Sequence, residues 1–285
     1  MLTNTFRHVR GVSAAAEKRL WSAGIDSWER CSSTGALPVT RRLAQRLREV
    51  LAESAERLGA GDARHFANAL PNGEHWRLFP EFRDRTAYLD IETTGLSVFD
   101  SEITTVALYD GRTVRHYVRG ENLGQLGRDL APYRVLVTYN GKCFDVPFLR
   151  RSLGLPLEQA HVDLRYLLRS LGYSGGLKSC ERQLGMDRGE LDDVDGYFAV
   201  LLWQDYCRRH SARSLETLLA YNIQDVVNLE ALLVMAYNLK IRATPFASCN
   251  RLPAPVAPDV PFRPDRDTIA RLRREHPYAV SWGNP

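Results

Sequence analysis

The stretch Ala87-Tyr88-Leu89-Asp90-Ile91-Glu92-Thr93-Thr94-Gly95-Leu96 decides how the rest of this chain reads. Tyr88, Leu89 and Ile91 predict a buried β-strand, closed by the turn residue Gly95. Side chains alternate faces along a strand, so Asp90 and Glu92 share one face. Two carboxylates side by side in an apolar strand repel each other and lose hydration. A bound cation relieves both costs, and hard divalent ions such as Mg²⁺ prefer oxygen ligands. The plainer reading is a strand end with two exposed acids, because Asp-x-Glu is a common triplet.

Two further blocks each place one more acid. Val135-Leu136-Val137-Thr138-Tyr139-Asn140-Gly141-Lys142-Cys143-Phe144-Asp145 is an apolar strand that ends in an Asn-Gly turn. Asp145 then opens a helix through Phe148, Leu149 and Leu153, with Pro147 tolerated in its first turn. Asp145 can be an N-cap alone, or a cap and a metal ligand at once. Tyr221-Asn222-Ile223-Gln224-Asp225 lies in a long apolar-periodic segment from Leu215 to Leu239. Tyr221 and Asp225 are at i and i+4, on one helix face. Taken alone, Tyr221 reads equally well as a tyrosine at the core edge with its hydroxyl in water.

The three blocks in this order are far more specific than any one of them. They resemble the DEDD family of 3′→5′ exonucleases, which have an RNase H-like fold. Asp90 and Glu92 match the first family motif, Asn140 to Asp145 the second (Asn-x-x-x-Phe-Asp), and Tyr221 to Asp225 the third (Tyr-x-x-x-Asp). One branch of the family has Tyr four residues before the last Asp, and the other has His five before it. Position 220 is Ala and 221 is Tyr, so the chain looks like the tyrosine branch. The resemblance spans roughly residues 84 to 240. It includes the strand His161-Val162-Asp163-Leu164 and the helix opened by Gly176-Leu177-Lys178-Ser179.

The resemblance implies a site and a reaction. Asp90, Glu92, Asp145 and Asp225 would hold two divalent ions, Mg²⁺ or Mn²⁺. Asp90 would bridge the two, Glu92 and Asp225 would serve the ion beside the attacking water, and Asp145 would serve the second. Tyr221 would orient or deprotonate the water, its reference pKa near 10 being eased by a neighbouring cation. Thr93, Thr94, Gly95 and Leu96 would contact the terminal nucleotide, with Leu96 as a wedge between the last two bases. Asn140 and Phe144 join the substrate-binding set, Phe144 as a stacking residue that reads equally well as core. The implied product is mononucleotides cut from the 3′ end of single-stranded DNA. RNA with the same site stays open, because nothing in the sequence reads the 2′-hydroxyl. So does a non-catalytic DNA-binding scaffold, although such decay usually removes an acid and all four are present.

Length and composition agree with this picture. A chain of 285 residues with a 44% hydrophobic fraction suits one moderate domain plus a smaller one. No uninterrupted apolar run approaches the ~18 residues of a membrane span, and the first residues lack a charged-then-apolar signal pattern. Five cysteines with no C-x-x-C pairing predict reduced thiols, a cytoplasmic location and no zinc site. The expected protein is a monomer without a membrane partner, and no protein partner is specified. Net charge is only +4, but it is uneven. Residues 1–80 carry 12 Lys/Arg against 8 Asp/Glu, and residues 239–285 carry 8 against 4, which leaves the middle acidic. An acidic centre flanked by basic segments suits metal and phosphate binding; the same imbalance also fits an ordinary solvated surface.

Three regions are expected: a helical region over 1–80, an RNase H-like exonuclease domain over 84–242 and a Pro-rich basic extension over 243–285. In the first, His8 to Ile25 resembles half of a helix-hairpin-helix module, with Arg10 and Gly11 in the turn and Ser13 where a second glycine would stand. Backbone N–H groups of such a turn hold a DNA phosphate without reading sequence; Ser13 is equally what plain helix capping produces. Residues 41–68 read as an amphipathic, helical segment that braces the catalytic domain. Strands are expected near 86–93, 103–109, 113–118, 134–139 and 160–163. Helices are expected near 122–131, 145–153, 164–171, 176–184, 196–208, 213–219 and 221–240, with a last basic helix over 266–275. The fold class is α/β, an RNase H-like mixed sheet flanked by helices, with a small N-terminal all-helical region.

Overall fold

The computed structural model of the chain describes residues 1–189 and 194–277. The last residues of the expected extension, 278–285, lie outside the described residues. Five strands form one sheet: β1 (Thr86–Thr93), β2 (Ile103–Tyr109), β3 (Val114–Val118), β4 (Val135–Thr138) and β5 (Ala160–Asp163). Their order is β3-β2-β1-β4-β5, with β1 antiparallel to β2 and parallel to β4. The acid-bearing strand is therefore central, walled on both sides by neighbours. The Tyr109-Asp110-Gly111 turn joins β2 to β3 as a hairpin in register from Tyr109 opposite Val114. The sheet matches the expected strands to within a residue or two, because turn signals bound most of them.

The helices are α1 (Ala14–Ser22), α2 (Trp28–Ser33), α3 (Arg41–Gly59), α4 (Ala63–Ala69), α5 (Phe79–Phe82), α6 (Leu126–Leu130), α7 (Asp145–Leu153), α8 (Leu164–Arg169), α9 (Leu177–Gln183), α10 (Gly196–Arg209), α11 (Ala212–Ile241) and α12 (Arg266–Glu275). Alternation in β1 divides the core. Ala87, Leu89 and Ile91 pack with Leu136, Phe148 and Leu149 on the α7 side. Tyr88 faces the other way, with Val226, Leu229 and Leu233 of α11. Asp90 and Glu92 share Tyr88's parity and so point toward α11.

Three helix expectations change. The expected pair over 213–219 and 221–240 is one unbroken 30-residue helix, α11, because Ala220 is a strong helix former and no breaker separates the halves. By length and composition alone α11 could cross a membrane, but it is the buried helix of this α/β layer. The helical segment expected over 41–68 is resolved into two helices, α3 and α4. The chain turns at Gly61, and the Asp62 carboxylate caps α4 by accepting from His65 N–H at 3.0 Å. The segment near 122–131 is a 3₁₀ turn followed by the short α6.

The N-terminal region shares its core with the sheet domain. Phe6, Trp21, Trp28, Leu47 and Phe66 belong to the same apolar cluster as α11. Beneath it, Glu17 accepts from Thr5 Oγ1 at 2.6 Å, Phe6 N–H at 2.8 Å and Arg77 at 3.0 Å. At the other end, α12 docks on α10 through Ile269 and Leu272. Arg271 donates to Asp205 Oδ2 at 2.6 Å, and Arg209 pairs with Glu275 at 3.1 Å.

Candidate metal centre

The site grows from the C-terminal half of β1. Asp90 sits opposite Ala107 and Glu92 opposite Thr105, and the register shifts directly after Glu92. Such a bulge bends the strand and re-aims its side chains. From across the layer, α11 brings Asp225 to the same place. Asp90, Glu92 and Asp225 each offer a carboxylate oxygen, and the three oxygens lie within 4.8 Å of one another. Tyr221, one turn earlier on α11, shares the wall. A cleft of about 280 Å³ is lined by Asp90, Glu92, Asp145, Tyr221 and Asp225.

The second block is held by a hydrogen-bonded turn. Asn140 takes the left-handed region at φ +63°. Gly141 follows because a Cβ there would come within 2.2 Å of Thr138 Oγ1. The Asp163 carboxylate at the end of β5 accepts N–H bonds from Asn140 at 2.8 Å and Lys142 at 3.0 Å, and Arg165 donates to Asn140 Oδ1 at 2.8 Å. Asp145 opens α7 and is buried, but it lies outside the three-oxygen group. Phe144, not Asp145, occupies the cap position of α7.

Electrostatics mark the site. Asp90 is partly open to the cleft yet enclosed by protein. Its carboxyl is pushed well above the usual range, by burial first and then by Asp225, Glu92 and Asp145. Asn222 opposes this by donating to Asp90 Oδ2 at 2.7 Å. Glu92 is pushed well up by burial, then Asp225 and Asp145, against Lys178 and Arg188. Asp145 rises to about 7, chiefly through burial, with Asp163 adding. The Tyr221 hydroxyl is driven well above 10 by burial and the neighbouring acids. These groups fit a hard divalent cation, since clustered oxygen donors that resist ionising together are relieved by positive charge.

The remaining expected site residues divide. Thr93, Leu96, Asn140 and Phe144 line the cleft. Thr94 and Gly95 continue the turn beside it: Thr94 N–H donates to Glu102 O at 2.9 Å, and Gly95 O accepts from Thr93 Oγ1 at 2.6 Å. Leu96 is 63% exposed. Phe144 packs on Phe148 at 4.9 Å, half in the core. Arg10 and Gly11 are exposed and do not line this cleft. Gly11 has φ +99°, and Ser13 caps α1 by accepting from Ala16 N–H at 3.1 Å. A 3₁₀ turn, Leu2–Asn4, precedes this segment.

Three residues carry the site without having been assigned a role in it from sequence. Asn222 ties Asp90 to the sheet, because its Oδ1 also accepts from Thr105 Oγ1 at 3.1 Å. Its signal was a polar residue inside an apolar helix. Lys178 places its ammonium 5.3 Å from the Tyr221 ring centroid. Arg188 is buried and hydrogen-bonded to Asp225, and it reaches Glu181 Oε2 at 2.6 Å. Its guanidinium also lies 5.6 Å from the Tyr221 ring. Nothing local to the Met186-Asp187-Arg188-Gly189 loop announces this.

A mixed five-stranded sheet with β1 at its centre and carboxylates from β1 and a crossing helix defines a class. The chain belongs to the RNase H superfamily, whose family model matches residues 87–237. Among solved structures it is similar to the family B DNA polymerase from the hyperthermophilic archaeon Pyrobaculum calidifontis, at 19% identity and a TM-score of 0.40. That likeness covers 55% of this chain and 24% of the polymerase chain. No curated protein matches the chain.

Proposed function

We propose that this protein is a divalent-metal-dependent 3′→5′ exonuclease of the tyrosine branch of the DEDD family, which removes mononucleotides from single-stranded DNA. The observation that carries the reading is the convergence of Asp90, Glu92 and Asp225 within 4.8 Å, in a cleft that Asp145 and Tyr221 also line. Two ions of Mg²⁺ or Mn²⁺, when bound, stabilise the attacking and leaving oxygens of the displacement. Asp90, Glu92 and Asp225 would hold one ion, and Asp90 together with Asp145 would hold the other.

Tyr221 would orient or deprotonate the attacking water. Without metal, burial and the neighbouring acids hold its hydroxyl protonated, and a cation bound beside it would ease ionisation. Leu96 stands 63% exposed after β1, on the wall of the cleft. A large apolar side chain left in water beside an acidic cleft suits stacking against a terminal base. Thr93, Thr94 and Gly95 hold the turn that presents Leu96, while Asn140 and Phe144 form the opposite lip. The exposed Gly11 turn with Arg10 is proposed to add a sequence-independent phosphate contact.

A time course on 3′- and 5′-labelled single-stranded DNA, duplex DNA and RNA tests this, with Mg²⁺, Mn²⁺ or EDTA. The 3′ label should leave first and the 5′-labelled strand should shorten as a ladder. Ready cutting of a covalently closed single-stranded circle would make the enzyme an endonuclease. Faster trimming of RNA than DNA would reassign the substrate and leave the site unchanged.

A further inference from the structure

Outside the metal centre, a second polar cleft lies at the β5 edge of the sheet, where the N-terminal helices meet the catalytic domain. It encloses about 360 Å³ and is lined by Arg64, His75, Lys142, Arg150 and His161, among others. Five separate segments supply these groups: α4, the 3₁₀ segment Asn72–Leu78, the turn after β4, α7 and β5. A smaller cavity of about 260 Å³ shares His75 and Lys142 and ends at Tyr166.

The charges here are not neutralised from within. Among the described residues, no carboxylate pairs with Lys142 or Arg150. Lys142 has its ammonium 6.0 Å from the Tyr166 ring centroid. The acids nearby are already engaged. Glu158 at the rim pairs with Arg64 at 3.2 Å, and Asp163 is taken by the backbone N–H groups of Asn140, Lys142 and Arg165. The two histidines register the excess positive charge. Burial and then Lys142, His75 and Arg150 push His161 down to about 3, and burial and then Lys142 lower His75. His161 is fixed in place by a 2.8 Å bond with Thr138 Oγ1.

The position of this cleft suggests its occupant. Asn140 lines the metal-centre cleft, and Lys142, two residues on in the same turn, lines this one. A nucleic-acid strand with its end at the metal centre carries further phosphates that a neighbouring basic cleft can take. Arg150 offers a planar fork and Lys142 a point charge, the two groups best suited to phosphate oxygens. We propose that this cleft is a second nucleic-acid site, which takes a backbone phosphate of the strand upstream of the end held at the metal centre, chiefly on Lys142 and Arg150. The proposal rests on the nuclease reading above for the identity of the strand.

Binding is measured by fluorescence anisotropy on the full chain in EDTA, so that hydrolysis does not enter. A long and a very short single-stranded DNA are compared for the parent, Lys142→Ala, Arg150→Ala and Arg150→Lys. Each alanine variant should weaken binding of the long strand by about 3- to 10-fold and flatten the salt slope by about 0.7, the loss of one phosphate contact on a single strand. Arg150→Lys should stay close to the parent, and the very short strand should bind all four alike. Unchanged affinity for the long strand overturns the proposal, as does an equal loss for both lengths. Inorganic phosphate and a mononucleotide are titrated in parallel by thermal melting. If they stabilise the parent alone while strand affinity is unchanged, the cleft is a small-anion site and the proposal fails. Failure of the nuclease reading would look different: no hydrolysis with Mg²⁺ or Mn²⁺, while the binding differences persist.

Discussion

Replacing Arg188 by Met should unfold this protein more easily in a way that pH reverses. Arg188 is buried between Glu181 and Asp225, and Glu181 has no exposed surface at all. Without the guanidinium, Glu181 keeps, among the described residues, only the 2.8 Å bond from Asn228 Nδ2. Breaking one side of a buried pair costs about 3–5 kcal/mol, because the other charge is left uncompensated. Glu181 can escape by taking up a proton, and this bounds its share of the loss. From its ordinary value of 4.5, protonation costs about 3.4 kcal/mol at pH 7 and about 0.7 kcal/mol at pH 5. At about 2–4 °C per kcal/mol, Tm should fall by about 10 °C at pH 7 and by only about 2 °C at pH 5. Glu181→Gln in the same chain should recover most of the deficit. Mg²⁺ should recover part, since it can replace the guanidinium at Asp225 but not at Glu181. Thermal melts across that pH range check all three. An Arg188→Met protein that melts like its parent at pH 7, or a deficit that stays constant to pH 5, would refute the reasoning.

Asp90→Ala should reduce hydrolysis by orders of magnitude and abolish the stabilisation by Mn²⁺ seen in a melt, whereas full activity in EDTA would remove the metal from the mechanism. Tyr221→Phe should lower kcat by about 10²–10⁴-fold with metal affinity intact, and an unchanged rate would reduce Tyr221 to packing. Asp145 has its carboxyl raised to about 7, so without metal the folded state holds a proton that the unfolded state has lost between about pH 4 and 7. Stability from this group therefore falls as pH rises through that window and levels off above about 7. Buried His8 and His161 act oppositely, because their lowered values favour the folded state as pH rises toward 6.5. The contribution is thus read as the difference between parent and Asp145→Asn melts, which should shift in favour of the variant from pH 5 to 8. Gly11→Val strains a backbone held at φ +99°, and Arg10→Ala removes an exposed charge; both should weaken binding of long DNA while sparing a very short substrate. Equal losses on both substrates would make the N-terminal turn a brace only.

Much of this protein is legible along the chain because its signals are local. Alternation in Tyr88-Leu89-Asp90-Ile91-Glu92 is enough to put both acids on one face, and turn residues bound most strands to within a residue or two. The i, i+4 spacing of Tyr221 and Asp225 likewise needs only helical geometry. Sequence alone could not divide α3 from α4 or join the halves of α11, since helix boundaries turn on single capping and breaking residues. Nor could it show that Asp90, Glu92 and Asp225 meet within 4.8 Å while Asp145 lines the same cleft outside that group, which depends on how α11 crosses the sheet. Arg188, Asn222 and the unneutralised set of Lys142, Arg150, His75 and His161 depend on tertiary structure in the same way. Each draws its meaning from partners tens of residues away, and charge compensation at short range is set by distance through space. The sequence determined which chemistry the chain carries; the packing of α11, α7 and the N-terminal helices against one sheet decided which charges face each other.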